Sequence, residues 1–527
     1  MKAKWEISSR DEFGRNYLNT AFFVFLWIFV SLIILFSLPE RAWAIKFHGL
    51  FAIAFIGIWR YSWFVLNVIN ALIFRYIRFP KIKKKAFSYD NPYPKRIYFM
   101  IPSYKEAFEV SAQVFKALAI EVYKVPSQVF VYVSVGSEEE ANFIEKVVKA
   151  NDPARRIKLV FLKQEMGKRV AMGHTLRAIA RHFNNPLYWH PDYRNDIVVF
   201  MDGDTVMGRN SLLKTLPYFR AYPKLGAVTT DEGINYIGAS KWIYLWYKLK
   251  FAKRHLMMMS HSLHWKVLTL TGRWSAFRAH VVLSEEFIRY VEADHIDHYL
   301  FGRFRFLMGD DKSTWYYLLK EGWDMLYIPD AIVWSTEDRS GNFFKVTSSL
   351  MFRWYGNMLR NNWRAIKLGP YRIGSWFIWW ALVDQRISMW TTLVGPTGAT
   401  LLSLFVSPFY WVFYLVWAIW VRIIQIVILD IVAKLGPHPV HLLQHLYDQW
   451  VGSVIKIYAS SNLSKQRWAK KASQVLEAQV PSFPRLRTAF RYFLITFYVC
   501  LFVFIVGVYV GVFRLPKLPH LMVLAQG

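Results

Sequence analysis

Hydrophobic positions follow two different patterns along this chain. Toward the two ends they run almost unbroken; in the middle they come as short blocks divided by polar turns. Ala21 to Leu38 (AFFVFLWIFVSLIILFSL) carries no charge. At about 1.5 Å per helical residue it nearly crosses a ~30 Å hydrocarbon core, which predicts a membrane-spanning helix. It is too long and too late for a signal-peptide core, and no small-residue cleavage site follows, so the chain is expected to keep its N-terminus. Leu50 to Phe74 predicts a second span, interrupted by Arg60 in GIWRYSW. An arginine near mid-span either faces another helix or a polar cavity, or snorkels to the interface.

Basic residues orient these spans. RYIRFPKIKKK follows the second one, and such a run beside a span belongs on the cytoplasmic side. Residues 1–85 therefore form an N-terminal membrane region whose N-terminus is cytoplasmic. Residues 93–368 hold no uninterrupted apolar stretch long enough to span and read as a soluble cytoplasmic domain. In 372–430, Gly374 to Thr392 is aromatic-rich with Asp384, Gln385 and Arg386 at its middle, which predicts a helix along the membrane surface. Leu393 to Leu429 follows as two spans broken at Ser407-Pro408. A basic cytoplasmic or interfacial segment, 431–490, precedes a last span near Tyr492 to Phe513 and a short tail within 491–527. About five spans result.

Inside the soluble domain, Arg96 to Ile101, Val129 to Val135, Ile157 to Phe161 and Ile197 to Met201 are short runs rich in β-branched and aromatic residues. Segments with helical spacing, such as Ala107 to Val122, lie between them. Strands alternating with helices predict an α/β, Rossmann-like fold with a mostly parallel sheet, whose ligands bind beyond the carboxyl ends of the strands.

Composition changes this picture only in part. With 54% hydrophobic and 18% aromatic residues in 527, a disordered, collagen-like or small disulfide-stapled protein is excluded. Cys500, the one cysteine, lies in an apolar run, so disulfides and cysteine-based metal sites are excluded too. Lys+Arg 66 against Asp+Glu 36 gives a net charge of +30, which suits an acidic substrate or polyanionic product by its field. Basic loops that orient membrane proteins contribute to the same surplus.

The parallel-sheet rule locates the candidate chemistry. The strand Ile197 to Met201 runs into Asp202-Gly203-Asp204, two hard carboxylate ligands that suit Mg²⁺ or Mn²⁺ carrying diphosphate oxygens, although such pairs also occur in surface turns. Gly167-Lys168-Arg169 opens a helical segment and suits a phosphate, or is a solvated cap. Gly309-Asp310-Asp311 places adjacent carboxylates at a turn, where one can serve as general base. Arg353-Trp354 offers a cation for diphosphate and a ring for a sugar, or belongs to a basic amphipathic helix at the membrane surface.

Taken in order, GIWRYS (57–62), GKR (167–169), DGDT (202–205), LTLTGRWSAFRA (268–279), GDDKSTW (309–315), YIPDA (327–331), LMFRWYGNMLRNN (350–362) and DQRISMW (384–390) resemble the processive, membrane-embedded family-2 glycosyltransferases. That family includes the cellulose, chitin and hyaluronan synthases, and the similarity is greatest to its alginate-polymerising branch. The resemblance implies a glycosyltransferase-A-like domain in which Asp202 and Asp204 bind the metal on the donor's diphosphate. It makes Asp311 the base with Asp310 its helper, assigns Arg353 and Trp354 to the catalytic centre, and gives Lys168 and Arg169 to the nucleotide. Arg273, Trp274 and Arg278, in the TGRWSAFRA block, are candidates to bind the substrate, the two arginines as partners of a uronate carboxylate.

The implied reaction is inverting polymerisation of GDP-mannuronate into β-1,4-linked polymannuronate, passed across a bacterial inner membrane. Implied partners are the bilayer, the growing polysaccharide, a separate cyclic di-GMP receptor subunit and periplasmic export proteins, with no nucleic acid. Two departures stand out: Leu350 replaces the Gln of the family's QxxRW motif, and Glu138, Glu139 and Glu140 stand where the family has an early nucleotide-binding Asp. Competing readings are a polymer synthase using UDP-sugars, a non-processive transferase charging a polyprenyl phosphate, and a non-catalytic export scaffold.

Overall fold

The computed structural model describes residues 17–514 apart from 105, 165–166, 238–239, 299, 306–308, 339–340 and 466–483. Expectations that fall on 466–483 or beyond 514 lie outside the described residues. The four strands expected from sequence are all present: β1 (Arg96–Pro102), β2 (Gln128–Val135), β3 (Ile157–Lys163) and β4 (Ile197–Met201). Six more follow among the described residues, β5 (Thr205–Met207), β6 (Leu225–Ile237), β7 (Trp274–Arg278), β8 (His295–His298), β9 (Gly302–Arg305) and β10 (Asp324–Asp338).

Eight of them form one sheet in the order β3-β2-β1-β4-β7-β6-β10-β5, and β8 pairs with β9 apart from it. β3, β2, β1 and β4 are mutually parallel, β7 runs against both its neighbours, and β6 and β10 pair in parallel. β4 is buried throughout, as expected for a central strand covered by helices on both faces. The helix Phe108–Val122 fills the segment expected to be helical.

At the amino end of the sheet a buried ion pair fixes the alignment. Arg96 Nε donates to Asp196 Oδ2 at 2.8 Å and the Arg96 amide to Oδ1 at 3.1 Å, which ties the start of β1 to the residue before β4. The Asp196 carbonyl in turn accepts the Ala279 amide just after β7. This clamp leaves the carboxyl ends of β1 and β4 side by side.

This is a membrane protein. Among the described residues, four helical stretches are long and apolar enough to cross a bilayer: 18–36, 48–86, 409–433 and 485–509. Phe25, Phe55 and Phe493 on them are exposed, as rings facing lipid would be. The second stretch continues without a break from the helix His48–Ile73 through a π-helical turn, Phe74–Arg78, into Phe79–Ala86.

One element departs from the sequence reading. Where a surface helix and a separate span were expected, a single helix, Trp376–Phe405, runs for 30 residues. Its polar middle does not end it because each group finds a partner on another helix. Asp384 pairs with Arg60, Gln385 accepts from Asn362 Nδ2 at 3.1 Å, and Arg386 Nε donates to Asn362 Oδ1 at 2.7 Å. Arg60, costly in lipid, is thus neutralised by a neighbouring helix. The next helix begins at Phe409, beyond Ser407-Pro408.

Candidate active site

The chain leaves β4 at Met201 and turns at once through Asp202, Gly203 and Asp204. Gly203 is needed for that turn, since a Cβ there would stand 2.9 Å from the Pro102 carbonyl at the end of β1. Opposite, Gly309 adopts φ +90 and caps the helix Asp310–Lys320. Any side chain on it would be strained and would also meet Asn357 at 2.9 Å, so this glycine seats Asp310 and Asp311 against the helix Phe343–Ile366.

Lys168, at the start of the helix Lys168–Phe183, joins the two carboxylate segments. Its Nζ lies 2.7 Å from Asp202 Oδ1 and 2.9 Å from Asp310 Oδ2. Burial alone would push this ammonium down, but the two carboxylates outweigh it and hold the pKa above the usual lysine value. Burial raises the Asp202 carboxyl, whereas Lys168 and Arg169 draw Asp310 below the ordinary range despite its burial. Gly272 presses on the group, a Cβ there standing 3.3 Å from Asp202 Oδ2. Met100, Phe200 and Thr314 help to line the small cavity between these carboxylates.

Asp311 accepts from Thr269 Oγ1 at 3.1 Å, and the charges of Lys312 and Lys168 also act on it. Burial, then repulsion from Asp310, raises its pKa above the ordinary carboxylate value. That favours a group able to take a proton and keep it through a reaction step. The neighbouring Lys312 donates to the Leu268 carbonyl at 2.5 Å, and burial pushes its ammonium down to about 8.

Other expected site residues divide sharply. Arg353 and Trp354 share the helix Phe343–Ile366, and Trp354 stacks on Trp246 with ring centroids 5.6 Å apart and planes at 2°. Arg273 Nη1 donates to Glu232 Oε2 at 2.6 Å and stays partly exposed. Arg169 is buried, its guanidinium donating to the Val291 carbonyl and, at 2.8 Å, to Ser313 Oγ, so it braces the Asp310 helix from behind.

Two expectations are corrected. Arg278 is buried and its guanidinium is held by the carbonyls of Leu225 at 2.7 Å, Arg194 at 2.9 Å and Tyr222 at 2.9 Å, which leaves no face for a uronate. Trp274 is wholly buried in β7, in the middle of the sheet, where no sugar reaches it. Glu140 also proves structural: its carboxylate accepts Ser103 Oγ at 2.6 Å and the Gly136 amide at 3.2 Å, and so braces the ends of β1 and β2.

Sequence reasoning missed Glu232 and Arg254. Glu232 is 1% exposed in β6 and takes both Arg254 and Arg273. Burial pushes its carboxyl up, but the two guanidiniums hold it below its ordinary value. The signal was present in TTDEGIN, a carboxylate pair inside an otherwise strand-like run.

A mostly parallel sheet that delivers a DGD turn at its carboxyl edge, faced by an aspartate pair capping a helix, is the architecture of the glycosyltransferase-A-like fold. The profile of the family described as "Glycosyltransferase like family 2" matches residues 94–357. "Glycosyltransferase alg8" of Pseudomonas syringae pv. tomato is 36% identical over 81% of this chain and 85% of its own length. "Glycosyltransferase alg8" of Azotobacter vinelandii is 35% identical over 83% and 87%. This chain belongs to that glycosyltransferase family 2-like group. Among solved structures, the mannosyltransferase PcManGT from Pyrobaculum calidifontis in complex with GDP-Man and Mn2+ aligns at 15% identity with a TM-score of 0.41, covering 77% of this chain and 98% of that one.

Proposed function

We propose that this glycosyltransferase is a processive, inverting polymerase that transfers mannuronate from GDP-mannuronate to the end of a β-1,4-linked polymannuronate, the alginate precursor. The observation that carries the reading is the bridged carboxylate edge, with Lys168 between Asp202 and Asp310 and Asp311 left facing Thr269. Similarity to two glycosyltransferases named alg8 over most of both chains supports the polymer.

In this mechanism Asp311 takes the proton of the acceptor hydroxyl as its oxygen bonds to the anomeric carbon. The bond from that carbon to the diphosphate oxygen breaks, and the nucleoside diphosphate leaves from the opposite face with the bonding pair. One displacement inverts the configuration. Lys168 and Arg353 would answer the charge growing on the leaving group, and Trp354, firm against Trp246, would floor the acceptor sugar.

The donor set fits a divalent cation. Asp202 and Asp204 are hard oxygen ligands, and the Lys168 ammonium on Asp202 marks a position where the site neutralises carboxylate charge with a cation. Bound through Asp202 and Asp204, Mg²⁺ or Mn²⁺ would supply Lewis-acid stabilisation of the diphosphate. We further assign the sheet domain to the cytoplasmic side of a bacterial inner membrane, with a cyclic di-GMP receptor subunit and periplasmic export proteins as partners.

The test is purified protein in lipid nanodiscs with Mn²⁺, offered GDP-mannuronate, GDP-mannose, UDP-glucuronate and UDP-N-acetylglucosamine separately. Nucleoside diphosphate release and product length are recorded. Long product from GDP-mannuronate alone is the expected result. Turnover of a UDP-sugar instead would overturn the donor assignment, and silence on all four, with the partner subunit added, would overturn the polymerase reading.

A further inference from the structure

Six cations gather where the helix Lys241–Ser262 of the sheet domain meets the helices of the membrane region. They are Lys250 and Lys253 on that helix, Arg60 on His48–Ile73, Arg386 on Trp376–Phe405, Arg422 on Phe409–Ala433 and Lys456 on Val440–Ser460. Two carboxylates answer them among the described residues. Asp448 takes Lys250 and, at 3.0 Å, Lys253, while Asp384 takes Arg60.

The other three donate to neutral groups among the described residues, and Asp384, already paired with Arg60, also acts on Lys456. Lys456 donates to the Gln385 carbonyl and to Ser388 Oγ at 3.1 Å. Arg386 donates to Asn362 Oδ1 and to the Leu359 carbonyl at 2.8 Å. Arg422 donates to Tyr61 Oη at 2.8 Å and to Gln449. The six form one electrostatic group: Lys456 feels Arg60, Arg386 and Lys250, and Lys253 feels Lys250 and Arg422.

Burying six mutually repelling cations with only two carboxylates is expensive, and apolar residues of similar size would stabilise a packed helix bundle better. Polar atoms in the same region are also buried without partners: Arg422 Nε, Gln425 Oε1 and His445 Nδ1. Aromatic rings alternate with the charges. Lys250 Nζ lies 5.3 Å from the Trp246 ring, which stacks on Trp354, and 5.5 Å from Tyr355. Lys456 lies 5.8 Å from Tyr355, and farther along Tyr61 meets Trp417 at 5.7 Å.

We propose that this run, from Trp354 through Lys250, Lys456 and Arg386 to Arg60 and Arg422, is a carboxylate track for an acidic glycan. The cations take the uronate groups and the rings take the sugar faces. The proposal rests on the polymerase reading for the origin of the glycan. An anionic lipid headgroup shares the charge but not the setting, because Arg422 and Lys456 are 5% and 8% exposed and enclosed by helices.

The experiment uses the full chain in nanodiscs of zwitterionic lipid, without donor. Binding of a short oligomannuronate and of a neutral β-1,4-oligomannose of equal length is followed by tryptophan fluorescence. Wild type is expected to bind the charged oligomer about tenfold more tightly or better. Lys456→Gln with Arg422→Gln is expected to erase that preference, and Lys456→Arg with Arg422→Lys to restore most of it. Equal affinity of wild type for both oligomers overturns the track, and needs no variant to fold. Loss of anionic-lipid retention by the Gln variant, with oligomer preference unchanged, overturns it in favour of a headgroup site. A charge preference that the Gln variant loses, in a protein that turns over no GDP-mannuronate, sinks the polymerase reading and leaves the track standing.

Discussion

Two clusters of buried charge in this protein differ in how fully they are matched. At the carboxyl edge of the sheet, Asp202 and Asp310 share Lys168 and the charge of Lys312 acts on Asp311, so carboxylates and cations are interleaved. Between the helices below, six cations meet Asp384 and Asp448, and the balance is positive. A third charged group, Arg96 with Asp196 at the other end of the sheet, is matched ion for ion. Buried charge is tolerated where it is matched, and unmatched buried charge marks a candidate site for a ligand of the other sign. On the function proposed above, the contrast sets a site for a cation and its diphosphate at the sheet edge against a place for carboxylates between the helices.

The strongest way to break this division is Asp311→Asn. Nucleoside diphosphate release should fall by about 10²- to 10⁴-fold, the usual contribution of a general base, while thermal unfolding stays close to wild type. Normal polymer yield would remove Asp311 from the mechanism. Next comes metal removal: chelation should bring release to background and Mn²⁺ should restore it, with oligomannuronate binding at the cationic cluster unchanged. Loss of both together would mean that the two clusters are not independent.

A smaller effect is expected from Lys168→Met, which strands Asp202 and Asp310 beside each other. Unfolding stability should drop by about 3 kcal/mol, the low end for breaking a buried pair, and added Mn²⁺ should recover part of it. No loss would show that the ammonium is not neutralising the pair.

The smallest change expected is one of pH. Asp311 sits above the ordinary carboxylate value, so the base is competent only above that raised pKa. The stability that its protonated form contributes is complete below the unfolded value and is lost as pH rises through the folded one. The Lys312 charge draws Asp311 downward, so Lys312→Met should move the acid limb of kcat/KM to higher pH. A limb that stays in place or moves lower contradicts the assignment.

Much of the sheet's left half was legible because β1, β2, β3 and β4 are continuous runs of residues that suit a strand buried on both faces. The DGD turn was legible for the same reason, as it falls directly after such a run. β7 was not: WSAFR sits in a block dense with glycine, arginine and tryptophan, so Trp274 and Arg278 looked like ligand contacts rather than a central antiparallel strand. The helix Trp376–Phe405 was read as two elements because Asp384, Gln385 and Arg386 carry no local sign of their partners, which come from positions 60 and 362. The cationic cluster was invisible for a related reason, since its members lie on five helices spread over some four hundred positions. Charges brought together only by tertiary packing leave no periodicity to read.

The helix that begins at His48 reaches Ala86 through its π-helical turn, 39 residues and about 58 Å measured along the helix. Its far end is fastened to the sheet domain, where Lys83 meets Asp330 at 2.9 Å and Phe79 stacks on Tyr218. The domain is thus moored directly to the helix that carries the second candidate span. A chain lengthened at the carboxylate edge would push against a braced frame, so each added residue would become forward travel rather than recoil of the machine that adds it.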